Sequence, residues 1–336
     1  MKDFYVKDAP RFENAVVTSF FCLSQIQLRE KKTGGAQYLA LTLSDKTGSL
    51  EARMWDEVAE PFAGVVEGGY VKVQGQISKY QGKWQITLTK MRNAAESEIE
   101  AADYQPVSEF AVEEMDAELR GLVAAFKDTD LKRLVLAFLD DPEIGPAFRA
   151  APAAKMLHHA WIGGLLEHVL TLVKVCVATA PFYPEVNPDL LVTGAILHDI
   201  GKVKELSWKT NFTYTLEGQM VGHISIAQGL LREKVKELQP FPERLRVLVE
   251  HMILSHHGKY EFGSPKLPMT PEAMLLSALD DLEAKFAAMR REFAAAENAG
   301  KSPGETTEWV RSMDRPLFNS QRWLEESAPE PGPEKE

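Results

Sequence analysis

Cysteine is scarce in this 336-residue chain: there are two, Cys22 and Cys176. Two thiols cannot build a disulfide framework, and each falls in an apolar stretch, FFCLSQI and LVKVCVA, where a buried free thiol is expected. Uninterrupted apolar runs are missing too. A membrane span needs ~20 apolar residues, and the best candidate is broken by Glu167, His168 and Lys174. The opening MKDFYVKDAP lacks the apolar centre of a signal peptide, so a cytoplasmic location with no membrane partner is expected. Basic residues are absent from 94–118, which carry nine acids, and 325–336 hold five acids against one lysine. Much of the acidity behind the net charge of −11 therefore sits in two short stretches. Residues 11–93 carry eleven Lys/Arg against eight Asp/Glu, so a local basic groove for nucleic acid is not excluded.

What is present divides into two patterns. The first hundred residues alternate as strands do: Leu39, Leu41 and Leu43 share one face of AQYLALTLS, with Tyr38, Thr42 and Ser44 on the other. DKTGS reads as a turn, and LEARMW alternates again with Leu50, Ala52 and Met54 inward. A strand from about Ala15 to Arg29 precedes them. A short helical link, DEVAEPFAG, and the strands YVKVQGQISKY and WQITLTK, joined at Gln81-Gly82, complete the set. Five strands with a short helix between the third and fourth are the layout of an OB-fold barrel. The stretch LSDKTGSLEARMWD and this order resemble nucleic-acid-binding OB domains. Tyr38, Arg53, Trp55, Lys79, Tyr80 and Lys83 are read as outward, a mixture of rings and cations suited to base stacking and phosphate neutralisation.

From about Val107 the periodicity becomes helical, with helices expected over 119–128, 130–141, 153–180, 189–203, 226–238, 242–258 and 271–296. The expected organisation is a barrel over 1–95, an acidic linker over 96–118 and a helical bundle over 119–300. A C-terminal extension with a disordered acidic tail follows over 301–336. The fold class is multidomain α and β. Gly163 and Gly164 are read as aids to close helix packing, and GSPKLP (263–268) as a loop lining a pocket mouth or a plain connector.

All eight histidines lie between residues 158 and 257. His168 falls in LLEHVL, His198 and Asp199 in AILHDIGKV, His223 in MVGHIS, His256 and His257 in LSHHG; Asp280 follows in LLSALDDLEAK. One imidazole on an apolar helix is usually a satisfied core residue. Five or six would each need a separate hydrogen-bonding solution, and shared divalent cations satisfy them together. Nitrogen and oxygen donors without a cysteine favour manganese, with cobalt or iron as alternatives, over a structural zinc site. His158 and His159 are possible substrate contacts; His251 is read as a packing residue.

His168, the His198-Asp199 doublet and Asp280, in that order on helices, resemble the H…HD…D signature of the HD superfamily of metal-dependent phosphohydrolases. GGLLEHVL, GAILHDIGKV, GHI, LSHHG and GSPKLP…EA behind an OB domain resemble, more narrowly, the YhaM-type 3′→5′ exoribonucleases over most of residues 12–290. The resemblance implies a first metal on His168, His198, Asp199 and Asp280, with Asp199 bridging to a second on His223 and His256. Whether His257 ligates or contacts substrate stays open. Lys202, three residues after Asp199, is expected to share its face if the helix persists through Gly201, there to meet substrate phosphate or the leaving oxygen. The implied activity is removal of nucleoside 5′-monophosphates from single-stranded RNA, or DNA, by a metal-activated water. Three rivals remain at this point: a small-nucleotide phosphohydrolase with a regulatory barrel, a di-iron oxygenase, and a non-enzymatic RNA-binding module. Oligomeric state is not legible.

Overall fold

Alternation in the first hundred residues becomes a closed barrel. The computed structural model describes every residue except 1, 32–35, 57–63, 81, 101–102, 105–106, 155–160, 209–211, 299 and 327–336. The barrel strands are β1 (Val16–Glu30), β2 (Gln37–Asp45), β3 (Gly48–Met54), β4 (Tyr70–Tyr80) and β5 (Lys83–Asn93). They run β1-β2-β3-β5-β4 around the barrel, and β4 closes back onto β1. Only the β3–β5 contact is parallel, as an OB barrel requires. The inward set is the one the alternation predicts: Leu39, Leu41, Leu43, Leu50, Ala52 and Met54 are all buried. Trp55 lies one residue beyond β3. Most of the expected helical link, Gln81 of the expected turn and the acidic tail fall outside the described residues.

The expected linker is partly structured. Tyr104 is buried against Phe20 and Cys22 of the barrel, and α1 (Val112–Ala124) begins inside the linker. Then follow α2 (Thr129–Leu139), α3 (Ile144–Ala150), α4 (Gly164–Thr179), α5 (Pro188–Leu197), α6 (Lys202–Glu205) and a two-stranded hairpin, β6 (Leu206–Ser207) and β7 (Thr213–Tyr214). The bundle continues with α7 (Leu216–Met220), α8 (His223–Glu237), α9 (Glu243–Ser255) and α10 (Pro271–Asn298), and α11 (Ser320–Glu326) ends the described chain. Helix starts are encoded locally: Asp128 accepts from the Asp130 and Leu131 amides, and Asn187 from that of Leu190, with Pro188 in the first turn. Residues 190–197 of α5 are all buried, which makes it the central helix, packed against α4, α9 and α10. Residues 164–182 are apolar enough to resemble a membrane span, and in this fold they form a core helix that carries His168 inward.

Two helices are shorter than their sequence pattern suggests. The helix expected from 153 begins at Gly164, because Gly163 takes a left-handed φ of +82° that helical backbone cannot continue. The glycine pair therefore starts a helix rather than lying inside one. The helix expected over 189–203 ends at Leu197, and a turn over 198–201 separates it from α6. Gly201 is the reason for that turn's packing: a Cβ there would collide with the backbone carbonyl of His223. Gly201→Ala should consequently destabilise the protein by ~1–3 kcal/mol and push His223 away from Asp199. A thermal melt and a metal titration of the variant would check it; wild-type values in both would refute this account of the turn.

Candidate metal centre and nucleic-acid surface

The acid-histidine doublet sits where α5 stops. His198 caps the helix, and its Nδ1–H donates to the Ala195 carbonyl at 2.9 Å. That bond fixes the tautomer and turns Nε2 toward the interior. The same device recurs at each neighbouring imidazole. His168 Nδ1 donates to Glu283 at 2.7 Å, His223 Nδ1 to Glu205 at 3.0 Å, His256 Nδ1 to the Ile253 carbonyl at 2.8 Å, and His257 Nδ1 to the Phe262 carbonyl at 2.8 Å. Five rings from four helices and their ends thus turn Nε2 toward one region.

Asp199 stands at its centre and divides it. Oδ2 lies 3.2 Å from His198 Nε2 and 3.8 Å from His168 Nε2, while Asp280 Oδ1 is 3.3 Å from the latter. Oδ1 faces the other way, 3.4 Å from His223 Nε2 and 3.8 Å from His256 Nε2. The donor atoms of His168, His198 and Asp280 lie within 4.8 Å of one another, and so do those of His223, His256 and His257. Such spacings bring the donor atoms close enough to share a cation. His223 Nε2 and His256 Nε2 are buried with no hydrogen-bond partner among the described residues. A buried acceptor without a donor costs ~1–3 kcal/mol, and a cation beside each nitrogen would remove that cost. The residues fit divalent metal.

Lys202 does reach Asp199, though not by the expected route. The α-helix has ended, and a Lys202 N–H bond to the Asp199 carbonyl keeps the turn tight enough to bring Nζ within 2.6 Å of Oδ2. The ammonium is nearly buried, on the carboxylate itself rather than at an open mouth. Burial opposes the charge on Asp199, but Lys202 and His198 outweigh it and hold the carboxyl well below its usual range. His168 is likewise opposed by burial, yet Asp280 and Glu283 raise it to about 10. A ligand imidazole must be neutral, so metal uptake should release a proton, and apparent affinity should climb as pH rises toward 10. Calorimetry in buffers of different ionisation enthalpy would count that proton; pH-independent affinity would contradict it.

Glu205 and Glu283 escape a reading by motif. Glu283 follows Asp280 by three residues, the spacing that puts both on one helix face, and this is the signal that points to it. Glu205 accepts from both the His223 amide and its ring, at 3.0 Å each, and nothing in its local sequence announces this. His251 packs as expected but also accepts from the Met269 amide, which ties the 263–268 loop down beside α9. His158 and His159 lie outside the described residues.

On the barrel, the six ring and cation positions separate into two groups. Tyr38 and Trp55 stack at 4.7 Å with 27° between planes, and the Arg53 guanidinium lies 5.9 Å from the Tyr38 ring. Beside them runs a groove of about 210 Å³ lined by Gln25, Gln27, Arg29, Thr42, Glu51 and Arg53. Arg29 lies near the end of β1, where the strand's pattern assigns it no face. Tyr80 and Lys83 sit at the β4–β5 turn: Arg53 is opposite Thr87, four residues from Lys83, or ~13 Å along the strand. Lys79 is exposed, and its ammonium lies 5.4 Å from the Trp84 ring. The larger hollow, about 610 Å³, is also on the barrel, lined by Lys72, Lys90, Arg92 and Met91.

Comparison with known proteins agrees with both halves. Residues 165–285 match the HD domain family and residues 25–94 the OB-fold nucleic acid binding domain family. The chain is 37% identical over 294 residues to the 3'-5' exoribonuclease YhaM of a Geobacillus species, which covers 86% of this chain and 88% of that one. The YhaM proteins of Halalkalibacterium halodurans and Bacillus licheniformis are 34% and 36% identical over 287 residues each, covering 85% of this chain and 87% and 89% of theirs. This chain belongs to the YhaM family. Its helical half is a metal-dependent hydrolase domain of HD type, and its barrel is of the nucleic-acid-binding OB type.

Proposed function

We propose that this YhaM-family chain is a 3′→5′ exoribonuclease that takes nucleoside 5′-monophosphates from the end of single-stranded RNA. Single-stranded DNA is a second substrate. The observation that carries the reading is Asp199, whose two oxygens face two separate histidine groups. His168, His198, Asp199 and Asp280 would hold one divalent cation and Asp199, His223 and His256 a second, with manganese the preferred ion. His257, half-exposed at the same edge, completes the second group. Cations so placed would polarise the phosphodiester and acidify a water for attack. The chain's own contributions are distinct. Glu283 and Glu205 orient the rings they bond; Lys202, whose ammonium lies 2.6 Å from Asp199, would supply positive charge against the negative charge that develops on the leaving oxygen. The barrel grips the strand behind the cut. Two buried free thiols fit a reducing, cytoplasmic setting.

His223→Ala tests the two-site division. It should lose the second cation and only part of the activity, and excess manganese should restore much of the rate by mass action. Loss as complete as that of an Asp199 variant, beyond rescue and with the fold intact by circular dichroism, would refute it.

A further inference from the structure

The segments leading into and out of the second histidine group carry apolar side chains that the fold leaves in solvent. His223 and His257 lie with ring centroids 5.2 Å apart. Immediately before His223 come Leu216, Met220 and Val221, exposed at 77%, 78% and 50%. Shortly after His257 come Tyr260 and Phe262, exposed at 66% and 55%, on a single 3₁₀ turn. That turn is not loose. The Phe262 carbonyl accepts from His257 Nδ1, and Gly263 closes the turn with a left-handed φ of +81°. Ser264 and Lys266 amides bond back to the Lys259 and Leu254 carbonyls. Lys259 places its ammonium 5.2 Å from the Phe262 ring centroid; its other partner, Glu261, lies at 3.5 Å in an exposed pair of small worth.

Large apolar groups exposed together mark a binding surface, whereas scattered ones do not. Here Tyr260 and Phe262 lie on a turn bonded to a metal-facing imidazole and accompanied by a cation. We propose that Tyr260 and Phe262 form a nucleobase-stacking subsite for the nucleotide adjoining the scissile phosphate, with Lys259 meeting a phosphate oxygen. The occupant is a nucleotide, since a flat base suits the rings, its phosphate suits Lys259, and the turn that carries them is hydrogen-bonded to His257 of the second histidine group. This deepens the nuclease reading and rests on it: the barrel holds the strand at a distance, and this turn seats the base beside the reacting bond.

The test is equilibrium binding of adenosine 5′-monophosphate and of ribose 5-phosphate to the full chain loaded with manganese. The wild type should favour the nucleotide by roughly 10- to 100-fold, the value of stacking one base. Tyr260→Ala/Phe262→Ala should bind both equally weakly at unchanged metal content, since the bond to His257 uses backbone. Phe262→Trp should keep the preference. A wild type indifferent to the base, or a preference that survives the double alanine change, overturns the subsite. A base preference in a protein that leaves RNA intact would instead count against the nuclease reading.

Discussion

Asp199→Ala should abolish hydrolysis and release bound metal from both positions at once. Each of its oxygens faces a different histidine group, and its carboxylate lies between His198 of one and His256 of the other. Removing the carboxylate also leaves Lys202 buried beside nothing of opposite charge at 2.6 Å. Asp199→Asn keeps the shape and one acceptor, and should still lose turnover by several orders of magnitude because the negative charge is gone. His198→Ala should behave similarly for the first position. RNA binding should stay nearly intact in all three, since it is assigned to the barrel. Elemental analysis with a filter-binding assay checks the pair of claims; wild-type metal content and turnover would remove Asp199 from the centre.

Tyr38→Ala/Trp55→Ala should do the reverse, weakening long single strands while sparing the chemistry. The two rings already stack on each other, and Arg29 and Arg53 line the groove beside them. Base–aromatic stacking is worth ~1–3 kcal/mol per base, so losing two rings should weaken binding by roughly 10²-fold or more. Replacing Arg53 as well should flatten the log–log salt dependence by about 0.7. Hydrolysis of a small activated phosphodiester, which needs only the metal centre, should change little. If the variant degrades long RNA as tightly as the wild type across a salt series, the strand is held elsewhere. Lys72, Lys90 and Arg92 around the larger hollow are then the next cations to replace.

The barrel was legible because alternation has a period of two and its inward faces are uniformly apolar; Leu39 to Met54 left little freedom. The histidine clustering was legible for a similar reason: imidazoles in apolar helices demand a shared explanation. Harder to read was where helices stop. His198 and Asp199 look like the interior of an apolar helix, but the chain turns there because Gly201 must approach the His223 carbonyl, a contact 22 residues away. Glu205 and Glu283 belong to none of the motifs that point to the site, and only the fold shows that each bonds a ring nitrogen. Local sequence encodes which residues carry the chemistry better than which residues hold them in place.

The most direct measurement is digestion of a 5′-labelled single-stranded RNA by the purified chain with manganese, resolved on a sequencing gel alongside chromatography of the released products. The account predicts a ladder that shortens from the 3′ end, nucleoside 5′-monophosphates as product, and no ladder with Asp199→Ala. Internal cuts, products carrying a 3′-phosphate, or a ladder that persists in the variant would contradict it.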